Sequence, residues 1–411
     1  MQIKRLFFLV FLAAAPLAQA QDGSWFSRAL RSVDRFLTTP SRVFDTTSVY
    51  QLDRARLVFL GTDLIRTGMN MQSEVTPQGS GTQDGAMHVS TSLPGKVYQK
   101  VGGGITYGGL QLANTVEIGG TRAQRNKYTR IAFFRPRFGI SFQYYTINDH
   151  IHGTLTDPAL GTPQAFSSDL PARTRNLVAD VFYFFNPEGF TYGAVTSRSL
   201  IQRRSGGSWL VRASYTQGEL QYQLTDGIVL NTSDHVGRYR TGEISVGGGY
   251  SFNWVPLHRS PNGRSTRGLR NIVLNATFVP NLSFYNHIHA QAYNYPDLES
   301  ARTAYMQEHG ISEYSDALAD EVTAWRLARA TEGKTSKSYT AGLPGINLAA
   351  RAGIGFSWER FFLCSSVVFN RHLLRGTDAL NLDEQTRQRY RTQTRGTFFD
   401  ITAGIQLNYR F

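Results

Sequence analysis

Two His-x-His pairs have a spacing that could do chemistry: His150 and His152 in NDHIHG, and His287 and His289 in YNHIHA. On a strand, residues i and i+2 share a face, so each pair can offer two imidazoles to one divalent metal. A shared site would need two strand ends that are not sequence neighbours to approach; solvated rim histidines are the plainer reading. A lipid hydrolase would need Ser–His or Asp–His constellations at the outer rim. Serines and histidines are present, but no nucleophile motif surrounds them. The glycine-rich GGGITYGG (Gly102–Gly109) precedes no helix and so makes a poor phosphate loop. The basic runs IQRRSGG (Ile201–Gly207) and RQRYRTQTR (Arg387–Arg395) could meet lipopolysaccharide phosphates, because arginine grips phosphate bidentately; solvated loop charges are the alternative. No cofactor and no nucleic-acid partner are expected.

The elements that would carry these residues alternate with period two. FFDITAGIQLNYRF puts Phe399, Ile401, Ala403, Ile405, Leu407, Tyr409 and Phe411 on one face, and Asp400, Thr402, Gly404, Gln406, Asn408 and Arg410 on the other. At about 3.3 Å per residue this strand exceeds 40 Å, roughly twice an ordinary globular strand and enough for a tilted membrane crossing. The pattern recurs in RFGISFQYY, RNLVADVFYFF, SWLVRASYT, EISVGGGYSFNW, NIVLNATF and INLAARAGIGFSW, with Trp254, Trp358, Tyr409 and Phe411 near strand ends. A soluble sandwich would cover the apolar face with a second sheet. Long strands with terminal aromatics predict a closed antiparallel transmembrane β-barrel instead. Its inward residues would include Asp180, Arg212, Arg351, Asp400 and Arg410, mixed signs that suit a narrow lumen partly closed by ion pairs.

Thirteen stretches read as strands: 51–72, 98–107, 110–118, 127–134, 137–148, 174–186, 190–202, 207–217, 242–255, 268–280, 345–358, 360–371 and 397–411. Single-chain bacterial barrels have even numbers, so twelve or fourteen is expected, with the conflict between about 187 and 241. Tight turns are expected at Gly108-Gly109, Arg135-Pro136, Asn186–Gly189 and Glu359-Arg360. Long loops are expected near 73–97, 149–173, 217–241, 281–344 and 372–396. The 281–344 segment has a helical stretch, with Leu318, Val322 and Trp325 on one face, readable as a cap, a lumenal plug or a helical loop on the rim.

The beginning predicts the compartment. Lys4 and Arg5, an apolar run from Leu6, and Ala18-Gln19-Ala20 form an export leader over 1–20, with a mature chain from Gln21. Residues 21–49 are expected as a periplasmic extension, in which Trp25, Leu30, Val33 and Leu37 have near-helical spacing; the barrel would occupy 50–411. No later run approaches 18 apolar residues, so spanning helices are excluded. The formal charge is +13, a basic balance suited to anionic head groups. Cys364 stands alone, so no internal disulfide can form.

FDTTSVY (Phe44–Tyr50), VGGGITYGGL (Val101–Leu110), FFNPEGFTYGAVTSRSLIQRRSGGSWL (Phe184–Leu210), GGGYSFNW (Gly247–Trp254) and the closing NYRF (Asn408–Phe411) together resemble the Bacteroidota outer-membrane family called domain of unknown function 4421. The resemblance implies a barrel in the outer membrane of a Gram-negative bacterium and lends no catalytic residues. The last strand, with Tyr409 and Phe411, also resembles the signal read by the barrel-assembly machinery of such bacteria. The expected role is a non-enzymatic narrow pore or ligand-binding channel. A barrel-based lipid hydrolase and a scaffold or adhesin acting through its loops are the alternatives.

Overall fold

The computed structural model describes residues 28, 31–32, 35–37, 43–51, 56–78, 86–93, 95–119, 125–157, 161–167, 172–195, 200–222, 236–259, 269–341, 345–358, 360–377, 388 and 390–410. Twelve strands form the ring: β1 (Arg56–Pro77), β2 (Val97–Tyr107), β3 (Leu110–Glu117), β4 (Lys127–Phe134), β5 (Phe138–Asp149), β6 (Ala172–Phe184), β7 (Gly206–Gln221), β8 (Val236–His258), β9 (Asn271–Asn294), β10 (Ile346–Ser357), β11 (Phe361–Thr377) and β12 (Tyr390–Arg410). Each pairs antiparallel with the next. The last closes on the first, from Tyr390↔Pro77 to Arg410↔Leu57, and so leaves no open edge in the ring.

Which face meets which medium decides the class. The outward side chains are apolar and uncovered: Leu60 is 70% exposed and Trp209 66%, and Ile140, Val181, Val246, Phe278 and Ile405 are exposed too. The inward ones are polar and buried, including Ser141, Asn275, Ser251 and Thr277. A water-soluble protein does the reverse. Hydrocarbon outside and a packed polar interior make this a transmembrane β-barrel. Among the described residues no helix is long and apolar enough to cross a membrane; the crossing is made by strands. Trp209, Tyr183, Phe185, Trp254, Phe361 and Tyr409 gather near one rim, where Trp209 meets Tyr250 at 5.1 Å and Phe361 meets Tyr409 at 5.2 Å.

That rim carries the short turns at 108–109 and 135–137, and there Trp358 N donates to Phe361 O. The opposite rim is higher than the sequence predicts, because much of the supposed long loops is strand. β8 and β9 run on to Val236 and Asn294, and β11 and β12 to Thr377 and Tyr390. Met87–Leu93 pairs with β1, His152–Thr156 with Met87–Leu93 and Gln164–Ser167 with His152–Thr156, while Thr331–Ala341 pairs with β9. Polar residues do not end these strands, since a paired ladder satisfies the backbone whatever the side chains are.

Among the described residues, 190–202 contributes no strand to the ring, which has an even twelve. Asn186–Gly189 is not a hairpin turn either. The chain between β6 and β7 folds inward as a plug, with a 3₁₀ turn at Tyr192–Val195 and a three-residue strand, Leu200–Gln202, that pairs with Val49–Gln51. Phe190, Tyr192 and Val195 look like strand residues because they are apolar, but Phe190 and Tyr192 meet other lumenal aromatics and Val195 packs with Val273 and Cys364.

The insertion holds two helices, α1 (Leu298–His309) and α2 (Ala319–Ala328), where the sequence suggests one. Asp297 caps α1 by accepting from Ser300 N at 2.8 Å, and Gly310 ends it in the left-handed region. Val322 packs with Ala301 and Tyr305 between the helices, with Trp325 against them; Leu318 lies in the short 3₁₀ turn that precedes α2. Leu327 joins the apolar cluster at the barrel mouth, so the hairpin rests on the opening. Of the N-terminal extension, Phe36 lies 5.6 Å from Phe133 and beneath the Arg135 guanidinium. The segment therefore leans on the short-turn rim. Trp25, Leu30, Val33 and the leader lie outside the described residues.

Candidate functional site: a closed chamber in the lumen

The lumen is divided by side chains from strands that are not neighbours. Its floor is the plug. Tyr192 stacks between Phe134 of β4 and Phe182 and Phe184 of β6 at 5.2–5.4 Å, with Phe190 fully buried beside them. A polar lock holds it: the Gln202 amide donates to the carbonyls of Gly189 at 2.7 Å and Arg204 at 2.9 Å and accepts from Thr191 N, while Asn253 of β8 donates to Thr191 O and Gln202 Oε1. Asn271 of β9 donates to Gln202 O. Gly206 permits the close approach, because a Cβ there would lie 2.4 Å from Gly189 O. FDTTSVY braces the plug from below: Asp45 accepts from Thr47 N, Thr47 Oγ1 and Ser48 Oγ, bonds that hold its carboxyl below the usual range, and Arg203 N donates to Ser48 O.

The roof is made from inward apolar residues of eight strands. Met69, Tyr98, Tyr145, Val178, Leu220, Tyr239, Ile288 and Phe398 meet, with Tyr145 of β5 stacked on Phe398 of β12 at 6.3 Å. Just under them Glu243 of β8 reaches across to His372 of β11 (Oε2 to Nδ1, 3.1 Å), and Asn347 of β10 donates to the same carboxylate. Both partners are almost wholly buried.

Between floor and roof lies a cavity of about 110 Å³, large enough for several waters. Asp63, Arg130, Asp180, Arg212, Arg351 and Asp400 line it. Arg212 Nε and Nη2 both donate to Asp180 Oδ1, at 3.0 and 2.8 Å, in a buried ion pair between β7 and β6. Asp400 accepts from Asn370 at 3.1 Å. Arg351 sits over Tyr192 at 5.1 Å. Gly404 keeps room for Asp63, whose Oδ1 a Cβ would meet at 2.1 Å. Four of the five predicted inward charges, Asp180, Arg212, Arg351 and Asp400, thus line one chamber. Arg410 lies apart, beside Leu57, Asn271 and Phe362 at the short-turn rim. Sequence reasoning missed the Glu243–His372 pair and Lys100, a buried cation over the Tyr128 ring; strand parity alone points them inward.

The histidine pairs lie away from this chamber and from each other's ladders. His152 pairs with Ser92 and Ser167, and His150 N donates to Asp149 Oδ1. His287 and His289 stand on β9 beyond the apolar band, with ring centroids 5.0 Å apart. Arg240 and Lys337 flank His289 on the two neighbouring strands, and such neighbours repel a cation. Among the described residues no group of three His, Cys, Asp or Glu side chains could hold a metal. Ser92 Oγ donates to the backbone carbonyl of His152, an arrangement that gives the ring no role as a base. Tyr409 lies on the seam, paired with Phe361 and Val58, while Phe411 lies outside the described residues.

Residues 67–260 match the model of Domain of unknown function (DUF4421). The match runs from within β1 past the end of β8 and contains VGGGITYGGL, the plug segment and GGGYSFNW; FDTTSVY and NYRF fall outside it. No curated protein matches the sequence. Similar solved structures include the outer membrane protease OmpT from Escherichia coli (8% identity, 87% of this chain and 97% of that one, TM-score 0.39). The translocator domain of the autotransporter NalP from Neisseria meningitidis gives 10% identity over 94% and 97%, TM-score 0.30. The P. putida toluene transporter TodX gives 7% over 87% and 90%, TM-score 0.25.

Proposed function

We propose that this chain is a non-enzymatic outer-membrane barrel of the DUF4421 family, working as a narrow ligand-binding channel that is shut at rest. One observation carries the reading: a charged chamber in mid-lumen, lying between the plug and the Tyr145–Phe398 roof. A filled structural core has no use for six charges and a cavity, since buried charge is costly and apolar packing is cheaper. A wide porin would not close its lumen at two levels. Hydrophobic constrictions flanking a polar site are how narrow pores gate. The reading includes export by the leader at 1–20, insertion by the barrel-assembly machinery through Tyr409 and Phe411, and location in the outer membrane of a Gram-negative bacterium. Its lipid partners include lipopolysaccharide, met by rim arginines.

The test is single-channel recording of the full mature chain in planar bilayers. Wild type is expected to give rare, small openings, and Gln202→Ala, which unlocks the plug, more frequent ones. Silence from both would overturn the channel. Release of fatty acid from labelled lipid would move the assignment to a hydrolase.

A further inference from the structure

We infer that Arg351 is the anchor of a site in the chamber for the carboxylate of a small ligand, an inference that rests on the channel reading and names the chemistry its chamber takes. Arg351 is 7% exposed, and among the described residues neither Nη1 nor Nη2 meets an acceptor. A guanidinium stays charged inside a protein, and its in-plane N–H groups need acceptors when they leave water. Tyr192 covers only the ring face; cation–π contact leaves the in-plane donors unspent.

None of the acceptors that share the chamber bonds the Arg351 Nη groups. Asp180 holds both donors of Arg212, Asp400 takes the Asn370 amide, and Thr277, level with Arg351 on β9, is bonded to Ser251 at 2.7 Å. What remains in front of Arg351 is the cavity itself. Two parallel N–H groups opening on a space of about 110 Å³ fit a planar carboxylate on a body of a few heavy atoms. Phosphate fits less well: as a dianion it would add two charges beside Asp63 and Asp400. The carboxylate can come from a simple acid or from an amino acid, whose ammonium those aspartates would favour.

The experiment is calorimetric titration of the full mature chain in detergent with acetate, glycine and inorganic phosphate, on wild type, Arg351→Met and Arg351→Lys. Each variant is first shown to be folded by its altered gel mobility before and after boiling. Binding of acetate or glycine is expected, weakened at least about tenfold in both variants, since lysine keeps the charge and loses the fork. A higher affinity for glycine than acetate assigns the amino acid; the reverse assigns the simple acid. Tighter binding of phosphate, equal binding by the variants, or no binding by wild type would each overturn the site. Should the variants not fold, wild type alone decides: acetate or glycine must raise its unfolding midpoint, and phosphate must not. Binding without conductance would remove the channel and keep the site, and conductance without binding would do the opposite.

Discussion

At the scale of single residues, the mid-lumen is held by charges whose partners matter more than their number. The Arg212–Asp180 pair is buried on both sides. Breaking one member of such a pair leaves the other without compensation, a loss of about 3–5 kcal/mol. Arg212→Met and Asp180→Asn are each expected to lower the unfolding free energy from denaturant titration by that order, and the double variant by less than the sum of the two. Additive losses in a double-mutant cycle would show that the two do not stabilise each other. Both residues could be placed inward from strand parity, and they pair with each other because Asp180 and Arg212 lie nearly level on adjacent strands, Asp180↔Ser214. Glu243 and His372 could not be joined that way. Their strands are separated by β9 and β10, so only the curvature of the closed ring brings them together.

At the scale of elements, two segments depart from the ladder and both sit at an end of the lumen. The plug is fixed by side-chain amides, and each buried group left without a partner costs about 1–3 kcal/mol. Gln202→Ala exposes several at once, so its effect on gating should come with a lowered midpoint, readable in the same sample. The helix hairpin depends on a cap. The bonds from Ser300 hold Asp297 below the usual carboxylate range. A depressed value means that the cap's contribution is complete above the ordinary carboxylate value of about 4 and is lost as the pH falls below it through the folded value. The protection of the α1 amides, the slowing of their exchange relative to that of an unstructured chain at the same pH, is expected to fall over that window in wild type and to be low at every pH in Asp297→Ala. Unchanged protection in the variant would show that packing of Val322 on Tyr305 suffices.

For the whole molecule, the medium on the outside is what makes the sequence foldable. A charge on the outward face should cost most at mid-bilayer: Val246→Arg is expected to lose about 2–4 kcal/mol of stability in lipid vesicles, and an arginine near the aromatic rim about 0–1. Equal losses at both depths would show that the apolar band does not lie in hydrocarbon.

The alternation of β5, β7, β8 and β12 is enough to assign a barrel and to choose inward from outward residues, because a period of two is a property of the strand itself and needs no partner. What the chain between β6 and β7 does is not legible locally. Phe190, Tyr192 and Val195 carry the composition of a strand, and Gln202, Asn253 and Asn271, which pull that segment into the lumen, come from three places in the chain. The ring size, the two seals and the chamber between them follow from closure, which sets how far apart opposite walls stand. That distance exists only in the folded barrel.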